Sequence, residues 1–282
     1  MYSKCLVHTP VLLQEVLDGL SVRKDGSYID ATVGEGGHLR EIAKNAKRVL
    51  GLDASQEQLE RTKKTIEAKN ITFVKGNFSQ IEEIARKQGF NEVEGIVFDL
   101  GLSFWELAHL KKGFSFKDDA EPLDMRLSGD GETAEDVLNT RSEEELYEIF
   151  SGNSEEIRSQ DIASKIVELR KQYKIKTVGD LKNSIDLTVG DKDKKTYSRI
   201  FQALRMEVNH EKENLKKGIE GATALLKRGG RLIVISFHSI EDRIVKRTIE
   251  QNNLKQVSKK TPSYGDRSFE RSATLRVVEK IS

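Results

Sequence analysis

The sequence has one cysteine, Cys5, and only three prolines among its 282 residues. A single cysteine excludes an intramolecular disulfide framework, and no Cys-x-x-Cys pair is present to bind zinc. No apolar run approaches the roughly 20 residues that a helix needs to span a bilayer. The first residues also lack the apolar segment of a secretory signal peptide. We therefore expect a cytoplasmic protein without a membrane partner, and nothing in the sequence calls for a metal.

An excess of charge of one sign is also missing. Lys and Arg number 47 against 46 Asp and Glu, so the formal net charge is only +1. This balance excludes a globally basic nucleic-acid-binding protein. Locally, however, residues 243–276 contain nine Lys and Arg against three Asp and Glu, with Tyr264 and Phe269 among them. This stretch predicts an RNA-binding face with rings that stack on bases, and an ordinary solvated surface is the alternative.

Short apolar segments alternate with helical patterns over the first hundred residues. Thr9 and Pro10 are predicted to cap and begin an N-terminal helix, and Ser55 to cap a later one. The alternation predicts a parallel, doubly wound α/β sheet with a Rossmann-like core. The predicted strands cover 28–33, 48–53, 71–74 and 94–100, and the predicted helices between them cover 37–46, 56–69 and 79–88.

The alternation stops after the fourth predicted strand. Residues 110–198 show short helical patterns and turns but no convincing strand. Strand patterns return at 231–236 and 273–279, after one long helix predicted over 197–227. We therefore predict a core formed by residues 1–109 and 199–282, with residues 110–198 as a helical insertion domain on the substrate side.

The segment Gly34-Glu35-Gly36-Gly37-His38 follows the first predicted strand. Glycines at such a turn let the backbone approach a ligand closely, and the next helix offers free N–H donors. The spacing is shorter than the dinucleotide-binding fingerprint. Asp53 ends the second strand, where a carboxylate accepts hydrogen bonds from the hydroxyls of an adenosine ribose. The pair predicts an adenosine-containing ligand, and a structural glycine turn with a helix cap is the alternative.

Later strand ends supply further candidate residues. Phe78 follows the third strand and offers a flat face to an adenine ring, unless it only packs in the core. Asp99 ends the fourth strand and begins a turn that reaches Ser103, at the point of the sheet where ligands bind. His238 follows the fifth strand, beside the predicted site, and Ser239 is the predicted cap of the next helix, with Asp242 in a capping box. A structural role is the alternative for each.

Several longer motifs occur in a fixed order along the chain. They are His8–Leu12, Gly34–His38, Asp99–Gly101, Gly113–Phe116 with Pro122–Arg126, Phe201–Arg205 with Val208–Asn209, and Ser236–Arg243. With these motifs the chain resembles the bacterial small-subunit (16S) ribosomal RNA cytosine-N4 methyltransferases over almost its whole length. The resemblance implies a class I methyltransferase core with a helical insert, S-adenosylmethionine as cofactor, and methylation of the exocyclic N4 of a cytidine in the decoding region.

The resemblance also implies roles for individual residues. The implied partner is small-subunit ribosomal RNA or the assembled small subunit, while the oligomeric state stays open, with a dimer among the options. The cofactor-binding residues would be Gly36, Gly37, His38, Asp53, Phe78 and Asp99, together with Glu106, where the family has glutamine. Our own hypothesis for the chemistry makes Asp99, Ser103 and His238 catalytic: the Asp99–Ser103 turn accepts a hydrogen bond from the cytosine amine, while His238 and Arg126 orient the base and its phosphate. The substrate-binding residues would be Arg126, Arg199, Arg205 and Arg243.

The chain departs from the family on the side that would face RNA. Asn153–Glu156 stands where the family has Tyr-Gly-Glu-Glu, and Lys195–Ser198 replaces His-Pro-Ala-Thr. Near the end, Arg271-Ser272 is what remains of a longer Asn-Pro-Arg-Ala-Arg-Ser motif. These differences keep two alternatives open: an RNA-binding ribosome-assembly factor with weakened catalysis, and a methyltransferase that acts on another amine.

Overall fold

The computed structural model describes residues 10–190, 192–252, 254–262 and 270–281. The residues Cys5, His8, Thr9, Tyr264 and Phe269, which carry sequence-based predictions, lie outside these ranges. The chain folds into two compact units. The sheet unit comprises Met1–Ser103 and Lys212–Ser282, and the helical unit comprises Phe104–Glu211. None of the helices in the described ranges has the length and apolar character that a membrane span requires.

The sheet unit contains a seven-stranded sheet with the order β3-β2-β1-β4-β5-β7-β6. Strand β7 is antiparallel to both β5 and β6, and the other neighbouring strands are parallel. The strand order reverses between β1 and β4, which makes their carboxyl ends the topological switch point where ligands bind in open α/β sheets. The strands are β1 (Ser27–Asp30), β2 (Arg48–Asp53), β3 (Ile71–Lys75), β4 (Val93–Asp99), β5 (Leu226–Ser236), β6 (Leu254–Lys260) and β7 (Thr274–Lys280).

Helices flank the strands in the sheet unit and make up most of the helical unit. Three helices of the helical unit begin with capping boxes, in which Thr133, Ser142 and Thr177 each accept an N–H from an acidic residue three positions later. In chain order the helices are α1 (Leu13–Leu20), α2 (Gly37–Asn45), α3 (Gln56–Thr65), α4 (Ile81–Lys87), α5 (Phe104–His109), α6 (Ala134–Thr140), α7 (Glu143–Ser154), α8 (Ser159–Leu169), α9 (Val178–Val189), α10 (Lys194–Val208), α11 (Glu211–Leu225) and α12 (Ser239–Gln251).

The sheet is buried on both faces, which is why its central strands are almost continuously apolar. Successive side chains of a strand point to opposite faces. On β4, Ile96 and Phe98 therefore join the apolar cluster that includes Ile219 of α11, whereas Val97 joins the cluster that includes Leu39 of α2. Helices thus cover both faces of a mostly parallel sheet, and the predicted Rossmann-like class of fold is confirmed.

The long helix predicted over 197–227 is wrong, because the structure has two helices there. Helix α10 ends at Val208 and α11 begins at Glu211, with His210 at a positive φ of 49° between them. The Asn209 amide donates to the carbonyl of Met125 at 2.8 Å, and its oxygen accepts the N–H of Leu127 at 2.9 Å. These bonds hold Asn209 at the end of α10, and a helix that continued would lose them.

The unit boundaries differ from those predicted for the insertion. Helix α5 groups with the helical unit, so this unit begins at Phe104 and not at residue 110. Helix α10 also groups with it, because Phe201 contacts Phe116 edge to face and Asn153 donates to the carbonyl of Ala203. The helical unit therefore extends to Glu211, whereas the sequence placed its end at residue 198.

Two further elements differ from the prediction. Helix α1 begins only at Leu13, after Leu12 in the left-handed region, so Pro10 lies before the helix and not in its first turn. Strand β6 was not predicted. Most of its side chains are exposed, so it lacks the apolar alternation that marks a half-buried strand.

Candidate functional site

Two acidic side chains lie at the ends of β1 and β4, at the switch point of the sheet. Asp30 is only 1% exposed, and its Oδ1 accepts the N–H of Thr32 at 3.1 Å. The backbone N–H of Asp99 donates to the Thr32 hydroxyl at 2.6 Å, which ties the two strand ends together. Within the described part of the chain, Asp30 Oδ2 and Asp99 Oδ1 are buried without a hydrogen-bond partner. Such atoms mark a site where a ligand can supply the missing bonds.

His38 adds an imidazole to these carboxylates. It lies in the first turn of α2, and its Nε2 is 3.5 Å from Asp99 Oδ2, although neither ring nitrogen has a well-formed hydrogen bond among the described residues. Burial disfavours the charged ring, but the hydrogen-bonding and charge of Asp99 and the charge of Asp30 outweigh burial and raise the pKa of His38. Burial raises the pKa of Asp30 to about 7. Two groups with shifted pKa values, Asp30 and His38, thus lie at the same edge of the sheet as Asp99.

Asp53 and the glycine turn are joined directly. Asp53 Oδ2 accepts the N–H of Gly34 at 2.9 Å, and Oδ1 accepts the N–H of Ser55 at 2.9 Å. Burial raises the pKa of Asp53, and these two N–H donors oppose that rise. A carboxylate has about four acceptor positions, so Asp53 keeps acceptor capacity beyond these two bonds. The geometry fits both the ribose-binding role and the helix-cap alternative.

Close neighbours leave no room for a side chain at Gly36 and Gly37 of the turn. Gly36 has φ +77°, and a Cβ there would lie 2.5 Å from Thr62 Cγ2. A Cβ on Gly37 would lie 2.8 Å from Pro10 Cγ. The Thr62 hydroxyl also donates to the Gly34 carbonyl at 2.7 Å. The turn is therefore packed against Thr62 on one side and Pro10 on the other.

Phe78 and Ser103 each contact another side chain of the sheet unit, to which both belong. The Phe78 ring is partly buried and packs edge to face on Phe98, with 5.5 Å between centroids. This contact agrees with the core-packing alternative and leaves the adenine-binding role a proposal. The Ser103 hydroxyl is 3.5 Å from Oε1 of Gln58, a buried side chain of α3. Ser103 is thus within the same unit as Asp99.

His238 is the N-cap of α12, which corrects the prediction that Ser239 caps this helix. His238 Nδ1 accepts the N–H of Glu241 at 3.3 Å, and Nε2 lies 3.1 Å from Glu241 Oε1. Glu241 in turn accepts the N–H of Phe237, the residue before the cap, at 2.9 Å, so Glu241 makes the bond back to the backbone that the prediction gave to Asp242. This arrangement fits the structural alternative for His238, since the cap and the contact with Glu241 both hold its ring against the helix.

The predicted substrate arginines of the helical unit are all paired with carboxylates. Arg126 makes bonds of 2.8 and 3.1 Å to Asp124, and Arg205 makes bonds of 2.8 and 3.1 Å to Glu211. Arg199 Nη1 lies 3.1 Å from the buried Glu156, yet 48% of the Arg199 side chain is exposed. Of these three arginines, Arg199 has the most exposed side chain, so it is the best able to contact a phosphate. Glu106 of this unit is buried, and Arg243 lies in the sheet unit.

Sequence reasoning missed several residues that build the site. Asp30 ends β1 and Thr32 follows it, while on α3 Gln58 contacts Ser103 and Thr62 donates to the Gly34 carbonyl. A signal for Asp30 exists in the sequence, since a polar residue that closes a buried apolar strand usually lies at the ligand edge of a parallel sheet. No such pattern marks Gln58 or Thr62, because their neighbours come from a different part of the chain.

The chain is similar to known proteins over nearly its full length. A match to the MraW methylase family extends over residues 5–281. Ribosomal RNA small subunit methyltransferase H of Carboxydothermus hydrogenoformans is 38% identical, with 98% of each chain covered. The protein of the same name from Bacteroides fragilis is 42% identical over 88% of this chain and 82% of its own length.

Solved structures agree with the fold. A candidate rRNA-methylase from Clostridium thermocellum superposes with a TM-score of 0.50 at 14% identity, covering 98% of this chain and 100% of that one. At this identity the likeness concerns the fold alone. The sequence match, by contrast, includes both the glycine turn and the acidic strand ends of the site. The chain therefore belongs to the MraW methylase family.

Proposed function

We propose that this protein transfers a methyl group from S-adenosylmethionine to the exocyclic N4 of a cytidine in small-subunit ribosomal RNA. The observation that carries the proposal is the cluster of Asp30, His38 and Asp99 at the switch point of the sheet, with buried polar atoms that lack partners within the described residues. The family match and the relatives named ribosomal RNA small subunit methyltransferase H support the reaction and the RNA.

The residues of the sheet unit fit an adenosine cofactor. Asp53 has acceptor positions for ribose hydroxyls, and Phe78 offers part of a ring surface for adenine. The turn through Gly36 and Gly37 lets the cofactor approach the backbone, while Asp99 has a carboxylate oxygen, without a partner among the described residues, for the cofactor's amino group. Glu106 stays a predicted cofactor-binding residue on the resemblance alone. When bound, S-adenosylmethionine supplies a strongly electrophilic methyl group.

Asp99 is the residue proposed to act on the substrate amine. The N4 lone pair of cytosine is delocalised into the ring, and an acceptor for its hydrogen localises that pair. As the new nitrogen–carbon bond forms and the sulfur–carbon bond breaks, the proton of the amine passes to the Asp99 carboxylate or through it to water. Ser103 would help to orient the amine. His238 is proposed to contribute by shaping the loop after β5, in keeping with its role as helix cap.

Arginines would hold the RNA. Arg199 combines an anchoring bond to Glu156 with an exposed guanidinium, which suits contact with a phosphate. Arg126, Arg205 and Arg243 are proposed to orient the base and the neighbouring backbone. The target cytidine has to be unstacked to reach the pocket. The proposed partner, the ribosomal small subunit or its RNA, places the protein in the cytoplasm.

Labelled S-adenosylmethionine tests the proposal. The protein is incubated with small-subunit particles, and the RNA is then digested and mapped by mass spectrometry. We expect one labelled N4-methylcytidine, loss of labelling with Asp99→Ala, and normal labelling with Asp25→Ala, an exposed aspartate that precedes β1. The proposal would be contradicted if the wild-type protein left every cytidine of intact particles unlabelled, or if Asp99→Ala kept full turnover.

The same experiment separates the alternatives. Label on a DNA base or a protein amide in place of RNA would indicate a methyltransferase for another amine. Calorimetry that detects no cofactor binding, together with binding to the small subunit, would indicate an assembly factor. Cofactor binding combined with labelled cytidine excludes both.

A further inference from the structure

Strands β1 and β4 separate at the switch point of the sheet. The chain that leaves β1 turns towards β2, because the Val33 N–H donates to the carbonyl of Leu52 at 2.9 Å. The chain that leaves β4 turns towards β5, where the Leu100 N–H donates to the carbonyl of Ile235 at 3.0 Å. The two chains therefore diverge from this point, and the cleft that opens between them is the place where open α/β sheets bind ligands.

A side chain continues the pairing of the two strands where they begin to diverge. The Ala31 N–H donates to the carbonyl of Val97 at 2.9 Å, as in a regular parallel ladder. The next N–H of β4 in that ladder belongs to Asp99, and it donates at 2.6 Å to the hydroxyl of Thr32 in place of a backbone carbonyl. The Thr32 hydroxyl thus bridges the two strand ends at the start of the cleft.

Thr32 is itself held from the β1 side. Its backbone N–H donates to Oδ1 of Asp30 at 3.1 Å, and Asp30 is only 1% exposed. Further along the cleft the two turns approach each other, since a Cβ on Gly34 would lie 3.9 Å from the Cβ of Ser103. The hydroxyl is therefore an anchored acceptor, and the position of the Asp99 backbone follows from that of Thr32.

We propose that Thr32 is a positioning residue: its hydroxyl bridges the diverging ends of β1 and β4 and thereby sets where Asp99 stands in the cleft. A reacting group displaced by about 1 Å costs up to about a hundredfold in rate. The consequence for turnover rests on the proposed methyl transfer, in which Asp99 contacts the substrate amine and Thr32 acts only through Asp99. The bridge itself belongs to the protein alone and can be measured without substrate.

Hydrogen exchange of the backbone amides measures the bridge directly. Thr32→Val keeps the branched shape of the side chain and removes the acceptor, whereas Thr32→Ser restores the hydroxyl. We expect the Asp99 amide to exchange at least about tenfold faster in Thr32→Val, and near its wild-type rate in Thr32→Ser. The Val33 amide, bonded to Leu52, should keep its rate in all three proteins. Thr72→Val, at an exposed position of β3, is the matched control and should leave the Asp99 amide unchanged.

Methyl transfer to small-subunit particles is the second measurement. It is made at saturating S-adenosylmethionine, with active sites counted by calorimetric binding of the cofactor. We expect kcat per site to fall about tenfold or more in Thr32→Val and to recover in Thr32→Ser. The KM for the particles should change little, because the arginines proposed to hold the RNA are untouched. A loss of stability alone would lower the number of active sites and not the rate at each of them.

An unchanged Asp99 exchange rate in folded Thr32→Val would overturn the proposal. If that variant does not fold, the wild-type protein decides. An Asp99 amide that exchanges as slowly as that of Ala31 supports the bridge, and exchange at the rate of an exposed amide refutes it.

The two measurements also separate this inference from the proposed function. If the wild-type protein transfers no methyl group, the proposed function fails, and hydrogen exchange alone decides whether the bridge exists. If wild type and folded Thr32→Val transfer methyl groups with the same kcat per site, the proposed function stands and the positioning role is refuted.

Discussion

The carboxylate of Asp53 accepts the backbone N–H of Gly34 at 2.9 Å, so the residue that ends β2 holds the turn that follows β1. The same carboxylate accepts the N–H of Ser55 at 2.9 Å, at the N-cap of α3. One side chain thereby connects the glycine turn, the second strand and the following helix. Local structure and the proposed ribose site depend on the same two oxygens.

Replacing Asp53 by Ala should lower both the stability of the fold and the affinity for the cofactor. Two backbone N–H groups would lose their acceptor, and we expect the free energy of unfolding to fall by about 2 kcal/mol, as for unsatisfied partly buried donors. Affinity for S-adenosylmethionine should fall at least about tenfold, or 1.4 kcal/mol. Urea unfolding and calorimetry measure the two effects. Asp53→Asn, which keeps one acceptor oxygen, should lose less stability, and equal cofactor affinity in all three proteins would contradict the ribose-binding role.

Gly36 offers a test of how tightly the turn is packed. Gly36→Ala places a Cβ 2.5 Å from Thr62 Cγ2 at φ +77°. Gly229→Ala is the matched control, since its φ is +76° with nothing within 4 Å of the new Cβ. Both should lose about 1 kcal/mol from backbone strain, and Gly36→Ala should lose about 1–3 kcal/mol more from the clash. Thermal unfolding measures the difference. Equal losses would mean that Thr62 and its helix, α3, shift to accommodate the new Cβ at little energetic cost.

Arg276 of β7 and Asp242 of α12 form an ion pair with bonds of 2.7 and 2.8 Å, and Arg276 is only 5% exposed. Burial raises the pKa of Asp242, but the bonds and charge of Arg276 outweigh it and the pKa lies below its usual value. Asp242→Asn should destabilise the protein at pH 7 by about 3 kcal/mol, because Arg276 stays buried without its partner charge.

This difference should depend on pH with a defined sign. Because the pKa of Asp242 is lower in the folded state, its stabilisation is complete above the unfolded value near 4 and is lost as pH falls through the folded pKa. Unfolding curves of wild type and Asp242→Asn between pH 2 and 7 should therefore converge at the acidic end. Glu250→Gln, an exposed change on the same helix, should show a small difference at every pH. Curves that stay parallel down to pH 2 would argue against the ion pair.

Hydrogen bonds of the Asn209 side chain hold the end of α10. Its amide donates to the carbonyls of Met125 and Arg205, and its oxygen accepts the N–H of Leu127. Asn209→Ala should lower the free energy of unfolding by about 2 kcal/mol, because it leaves backbone groups of a turn without partners. Asn183→Ala, at an exposed position of α9, should change it far less. Chemical denaturation of both variants measures this, and equal stability would show that other contacts keep the two helices separate.

Much of the sheet unit could be predicted from the sequence. Apolar runs that end in Asp53 and Asp99, with a glycine turn after the first strand, determine parallel strands and their ligand edge, because these signals are local. Ser55 caps α3 as expected, for the same reason. The polar edge strand β6 was missed, because exposed side chains carry no periodic signal.

The division of 197–227 into two helices depended on bonds from Asn209 to residues more than eighty positions earlier. The meeting of Asp30, His38 and Asp99 likewise depended on strand pairing, since β1 and β4 are neighbours only in the folded sheet. The sequence by itself determined the kind of fold and the edge that holds the site. Only the tertiary structure decided which charges face one another there, because burial and pairing of titratable groups arise from contacts between distant segments.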